Sequence, residues 1–399
     1  MNGPVFIAGM GIVSAIGNGL PANLQSLCEE KAGIGEMHFL NSVLKGELPV
    51  GEVKQSNAEL AIATGLSVKS PRTALLSGLA AGEALRDAGW DKNNSLRTGF
   101  ISANTVGGMD KTENFFSLFS KNASSGRLAD VVNHECGAVT ELVANLLGIR
   151  HFVSTVSTAC SSSANSIFTG ARMIRAGLLD FALVGGADAL TRFTLNGFNT
   201  LMILDKELCK PFDENRRGLN LGEGAAYLLL ASENGLKQLD KKPYARLSGY
   251  ANANDAFHQT ASSPEGTGSW LAMKGALDKA GISPGDIDYI NLHGTGTQNN
   301  DIAEGTAINL LFGPAYPKMS STKAYTGHTL GASGAVEAVY SVLAIQQKII
   351  FPNLRLQTPM KEFPFHPVTA CLKNQRVQHV LSNSFGFGGN CSSLIFSAA

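Results

Sequence analysis

Short apolar runs alternate along this chain with longer stretches in which apolar and polar residues recur at helical spacing. VFIAGMGI near the start is followed by TALLSGLAAGEALRDAG, then TGFISA, then SANSIFTGARMIRAG with Ile167, Met173 and Ile174 on one stripe, then DFALVGGADAL. Continuous apolar runs of strand length read as strands buried on both faces. Their alternation with helices predicts an α/β fold with a largely parallel sheet and crossover helices.

The order then repeats. Residues 84–89 read ALRDAG and lead into TGFISA, while residues 276–281 read ALDKAG and lead into DYINL. STAC from Ser157 and STKA from Ser321 each precede a small-residue helix; LVGGAD from Leu183 and FGFGGN from Phe385 each follow one. Apolar character drops in ENGLKQLDKKPYA, so the chain divides into two similar α/β halves, residues 1–240 and 241–399. Ligands in open α/β sheets bind beyond the carboxyl ends of strands, so loops from both halves are expected to meet at one site.

Composition narrows the class. Hydrophobic residues make up 44%, charged residues 16%, and there are 44 glycines, a balance that suits an enzyme with much buried surface and many tight turns. Lys+Arg and Asp+Glu each number 32, so charge gives no reason to expect nucleic acid or a membrane surface as partner. The start, MNGPVFIAGMGIVSAIG, lacks a basic leader and reads as a strand and turn, and no apolar run reaches the ~18 residues of a spanning helix. Six scattered cysteines without CxxC spacing argue against a disulfide framework or zinc site and fit reduced thiols in a cytoplasm.

One cysteine stands apart. Cys160 lies between the strand-like HFVSTV and a helix, where orphan N–H groups and the helix dipole would favour thiolate and bind an oxyanion. A lone cysteine is ordinarily a small buried hydrophobe. Here it has candidate partners: His293 follows a buried-looking strand in YINLHGTGTQNND, and Lys323 and His328 precede a small-residue helix. NSFGFGGNCSS adds a glycine-rich turn with Phe385 and Phe387, whereas GASGA lacks the pattern of a phosphate loop.

STACSSS, PFDENRRGLNLGEGAA, LHGTGTQNND, KAYTGH and NSFGFGG, in this order, resemble the β-ketoacyl-acyl-carrier-protein synthases, most closely the elongating condensing enzymes. The resemblance implies a thiolase-like fold, two duplicated halves in a layered αβαβα arrangement, and a homodimer or a heterodimer with a sister subunit. It implies that Cys160 takes the acyl group, with an oxyanion hole from the N–H groups of Cys160 and Phe387. His293 and His328 would assist decarboxylation of a malonyl thioester, with Lys323 and Glu304 in support, and no metal or organic cofactor is called for. Phe387 matches the family's gate, Asp255 and Thr260 a loop moving with it, and Val106 the acyl pocket lining. Acyl carrier protein is the implied partner, with Lys69, Arg72 and Lys210 as its basic rim and Arg216 and Arg217 structural.

Some features depart from the pattern. GFGGNC replaces the usual GFGGTN, placing Asn390 at the threonine position, and GRLADVVNHECGAVTELVANLLGI lacks the expected proline-rich run. These point toward a specialised polyketide or polyene chain as well as a fatty acid. Cys391 sits where thiolases carry a second catalytic cysteine, but the two histidines favour a structural reading. A thioester hydrolase or an inactive partner subunit are the competing functions; a hydrolase would admit water, and a partner subunit would have lost Cys160.

Overall fold

The computed structural model describes residues 3–93 and 95–399. Its strands are β1 (Phe6–Ser14), β2 (Gly17–Asn18), β3 (Thr98–Ala103), β4 (Phe152–Val156), β5 (Phe181–Asp188), β6 (Gly224–Ala231), β7 (Ala245–Asn254), β8 (Tyr289–Asn291), β9 (Lys318–Ser320), β10 (His379–Phe385) and β11 (Asn390–Ser397). Hydrogen bonding orders them β4-β3-β5-β6-β1-β7-β11-β10-β8-β9, with β2 paired to β1.

Read outward from the centre, the two sides match strand for strand. β3 runs parallel to β4 and β5, as β8 does to β9 and β10. β6 is antiparallel to β5 and β1, as β11 is to β10 and β7. The sheet is therefore mixed rather than largely parallel. Buried runs reveal that a strand is covered on both faces but carry no information about its direction. Among the described strands, pairing between the two halves is confined to Phe6↔Arg246 and Ile7↔Ala245 of β1 and β7.

Three helix layers cover the two sides. Helices Ser162–Arg175 and Ser333–Gln347 lie between them in one apolar core with residues of β1, β5, β6, β10 and β11. Helix Arg72–Ala88 covers the outer face of the first half and Thr267–Ala280 that of the second. The resulting order is helix, sheet, helix, sheet, helix. ALRDAG and ALDKAG are the ends of these outer helices, each stopped by a left-handed glycine, Gly89 at φ 69° and Gly281 at φ 68°. Glycine also sets how closely the first helix seats on β1: a Cβ at Gly11 would lie 2.1 Å from the Ala80 carbonyl oxygen.

The loops after β4, β8, β9 and β10 carry Cys160, His293, Lys323 with His328, and Phe387, respectively. All four loops leave carboxyl ends of strands, two of which occupy equivalent places in the two halves.

Candidate active site

Five residues separate the end of β4 from the first turn of helix Ser162–Arg175. Ala159 adopts φ 54°, a left-handed conformation uncommon for a residue with a Cβ, and it swings Cys160 to the mouth of the helix. The thiol is buried, at 6% exposure, and the backbone N–H groups of Phe387 and Cys160 point at its sulfur. Gly386 permits that approach, because a Cβ there would sit 3.1 Å from Cys160 N.

Burial pushes the Cys160 thiol up to about 11, against the pull of the Lys323 charge and of the two N–H groups. The helix terminus was expected to favour thiolate. Desolvation of the charged form outweighs it at this buried position, and Cys160 rests as a thiol.

His293 follows β8 and is fixed through its main chain. Its N–H donates to Glu304 Oε1 (2.9 Å), Gly294 N–H donates to Oε2 (2.8 Å), and Asn383 Nδ2 donates to Oε1 (3.0 Å). Burial raises the Glu304 carboxyl to about 7. Lys323 Nζ lies 3.2 Å from His293 Nδ1 and forms an ion pair with Glu337. An ammonium can only donate, so Nδ1 of His293 accepts and the ring proton belongs on Nε2.

The same logic holds for His328. Its Nδ1 accepts the Leu330 N–H at 3.2 Å and lies 2.9 Å from Ser333 Oγ, leaving the proton on Nε2. Burial and the Lys323 charge hold both imidazoles well below the ordinary histidine value, so both are neutral donors. The rings meet edge to face, with centroids 5.4 Å apart.

Cys160 Sγ and one nitrogen of each imidazole lie within 4.8 Å of one another, a spacing that could hold a metal ion. The tautomers tell against this use. A metal needs a lone pair, and with both Nδ1 atoms occupied by donors each Nε2 carries hydrogen.

A cavity of about 330 Å³ opens onto Cys160, His293 and His328. Phe387 forms one wall, its ring stacked on Phe198 at 5.6 Å and 15°, and Thr260 another. Asp255 stands back from the wall and braces that loop, accepting from Ser263 N (2.6 Å), Ser263 Oγ (2.7 Å) and Gly268 N (3.0 Å).

Other expected residues lie elsewhere. Val106 does not line the cavity: it is buried with Leu190, Leu195 and Leu330, because the turn after β3 points inward. Arg72 is not part of a surface rim either. Only 7% exposed, it pairs with buried Glu223 at 2.6 Å and donates to Asn57 and to the Gln55 carbonyl. Lys69 is exposed but outside the lining, and Lys210 pairs with Glu207 at 3.4 Å. Arg216 is buried against Asp301, whereas Arg217, also expected to be structural, lines the mouth with its side chain 68% exposed. Cys391 is buried in β11 beside Ser269.

Sequence reasoning passed over Phe198, Asn383 and Glu337. Only Glu337 carried a signal, as the one acid in the otherwise apolar helical stretch SGAVEAVYSVLAI.

A buried thiol thus faces two neutral imidazole donors, with main-chain N–H groups at its sulfur, on a thiolase-like fold. Residues 2–234 match the family described as β-ketoacyl synthase, N-terminal domain, and residues 244–357 that described as β-ketoacyl synthase, C-terminal domain. A 3-oxoacyl-[acyl-carrier-protein] synthase 2 of Staphylococcus aureus is 33% identical over 406 residues, covering 99% of this chain and 98% of its own. Among solved structures, the ishigamide ketosynthase/chain length factor superposes with a TM-score of 0.94 at 27% identity, each chain covered fully. A ketosynthase in complex with its chain length factor from Xenorhabdus doucetiae gives a TM-score of 0.85 at 32% identity, covering 100% of this chain and 98% of that one. The chain belongs to the β-ketoacyl synthase family, whose members are condensing enzymes of the acyltransferase type.

Proposed function

We propose that this chain elongates an acyl chain by decarboxylative condensation with malonyl-acyl-carrier protein, using Cys160 as nucleophile and His293 and His328 as paired donors. The carrying observation is that both imidazoles are held as Nε2–H tautomers around one thiol.

In the first half-reaction Cys160 sulfur attacks the thioester carbonyl of the acyl donor. The carbonyl oxygen becomes an oxyanion that accepts from the N–H groups of Cys160 and Phe387. The carbon–sulfur bond of the donor then breaks, and the thiol proton leaves with the departing carrier thiol. In the second, the malonyl thioester oxygen accepts from the two Nε2–H groups. Carbon dioxide departs, the enolate carbon attacks acyl-Cys160, and the released thiolate takes a proton from solvent. Lys323 acts on the His293 imidazole and Glu304 on the main chain that carries it, rather than on substrate.

Acyl carrier protein as partner follows from the reaction and from the name of the Staphylococcus aureus relative. Arg217, on the cavity rim, is its nearest basic contact. A dimer, of two copies or with a sister subunit, would form along β4, which ends the sheet with all five residues only partly buried. Among the described residues no helix is long and apolar enough to cross a membrane; a cytoplasmic setting suits the free thiols of all six cysteines. The boundary between halves falls in the stretch around Asp240 that joins β6 to β7.

Intact-mass analysis with acyl- and malonyl-carrier thioesters tests this reading. One acyl adduct, absent in Cys160→Ala, with β-keto product only after malonyl thioester is added, is expected. Free acid in place of β-keto product would assign a hydrolase.

A further inference from the structure

We infer that Asn390 is a positioning residue that holds the two donors of the oxyanion hole in register across the two halves of the fold, an inference that rests on the condensing reading above. The Cys160 N–H belongs to the turn after β4, and the Phe387 N–H to the loop after β10. These loops come from opposite halves, so their spacing has to be set by something between them.

Asn390 provides the link through two groups. Its carbonyl accepts the Gly386 N–H at 2.9 Å, which closes the short loop that carries Phe387. Its side-chain Oδ1 accepts from Asn165 Nδ2 (3.0 Å) in the nucleophile's helix and from Asn252 Nδ2 (2.8 Å) in β7, and lies 2.6 Å from the hydroxyl of Ser161, the residue after Cys160. The Ser161 hydroxyl is also 2.7 Å from the Thr158 carbonyl, so one proton serves two acceptors.

The orientation of the amide is fixed by its surroundings. Asn252 Nδ2 also lies 3.2 Å from the Cys391 carbonyl, which can only accept. That places the Asn252 nitrogen toward the cluster, and Asn390 must then present oxygen. A threonine at this position has a shorter side chain with one oxygen on Cβ and would not reach the three donors from the same backbone.

The function of such a tie is specific. Thioester attack builds negative charge on an oxygen that both N–H groups must meet, whereas alkylation of the same thiol by iodoacetamide is a displacement with no oxyanion. Loss of one oxyanion donor typically costs about 10²–10³ in rate. Partial displacement of Phe387 should therefore slow acylation but spare alkylation.

The experiment compares both reactions in single turnover for wild type, Asn390→Ala, Asn390→Asp and Ser161→Ala. Asn390→Ala is expected to slow acylation of Cys160 about 30- to 100-fold at saturating acyl thioester, with half-saturation changed less than about threefold and alkylation within about threefold. Asn390→Asp, which keeps an acceptor oxygen for the same donors, should recover at least about tenfold of the loss. Ser161→Ala, which removes one tie from the other side, should slow acylation about 3- to 10-fold. Acylation unchanged in Asn390→Ala, or acylation and alkylation slowed together, overturns the positioning role. Absence of any acyl loading in wild type overturns the condensing reading instead, and the two failures are thereby separated.

Discussion

Lys323 Nζ sits 3.2 Å from His293 Nδ1 while the same ammonium is ion-paired to Glu337, and all three side chains are buried. The lysine therefore does two things to the imidazole. It selects the tautomer with hydrogen on Nε2, and its charge opposes protonation of the ring. Lys323→Met should lower malonyl-thioester decarboxylation about 100-fold. The His293 pKa should move up, since a charge that lowers it is gone. Nitrogen-15 spectra of the imidazoles would read both tautomer and titration; an unchanged tautomer in the variant would refute the assignment.

Cys160 gives a second expectation. With its thiol near about 11, the thiolate fraction grows throughout the neutral range. Alkylation by iodoacetamide should rise about tenfold per pH unit from pH 7 to pH 9 without levelling off. A plateau below pH 8 would mean that the dipole and Lys323 had overcome burial after all.

Glu304 links the site to stability. Its folded value, about 7, lies above the ordinary carboxylate value of 4.5, so the folded protein retains a proton that the unfolded chain releases. The stability this contributes is complete below about pH 4.5 and is lost as pH rises through about 7. Glu304→Gln removes the titration, so urea unfolding should show a flatter pH profile between pH 4.5 and 7.5 than wild type. It also turns an amide toward the Gly294 N–H, which should reduce condensation at least about tenfold.

Two arginines expected to differ in one sense differ in the other. Arg217→Glu, at the exposed mouth, should raise KM for acyl-carrier protein about tenfold with kcat nearly unchanged, and reduce the sensitivity of kcat/KM to salt. Arg72→Ala should leave Glu223 buried without its partner and cost about 3–5 kcal/mol in denaturant unfolding. A carrier-protein defect in folded Arg72→Ala with wild-type stability would restore Arg72 to the rim.

These arginines mark where reading the sequence ends. Cys160, His293, Lys323 and His328 were visible because each follows a strand at a glycine- or small-residue turn, and strand ends converge in a sheet of this kind. The duplication was visible because glycine stops recur at Gly89 and Gly281. Arg72 and Arg217 carry the same charge and both sit beside small residues; only the position of Glu223, more than a hundred residues from Arg72, decides which is buried. Val106 likewise depended on which way a turn points. The protonation of Cys160 could not be read at all, because desolvation is a property of the assembled walls and the helix dipole is a property of the local chain.

The matching of strands across the fold has one more consequence. Cys160 follows β4 and Lys323 follows β9, at corresponding places in the two halves. On the proposed reading, two copies of one topology divide the labour, the first presenting the sulfur that takes the acyl group and the second the groups that manage protons and charge. Neither copy alone carries the thiol and both imidazoles. A chain severed between Leu239 and Ala245, where only a short connection joins the copies, should be silent as separate fragments and regain acyl transfer on fragment complementation, with activity tracking reassociation rather than the amount of either piece.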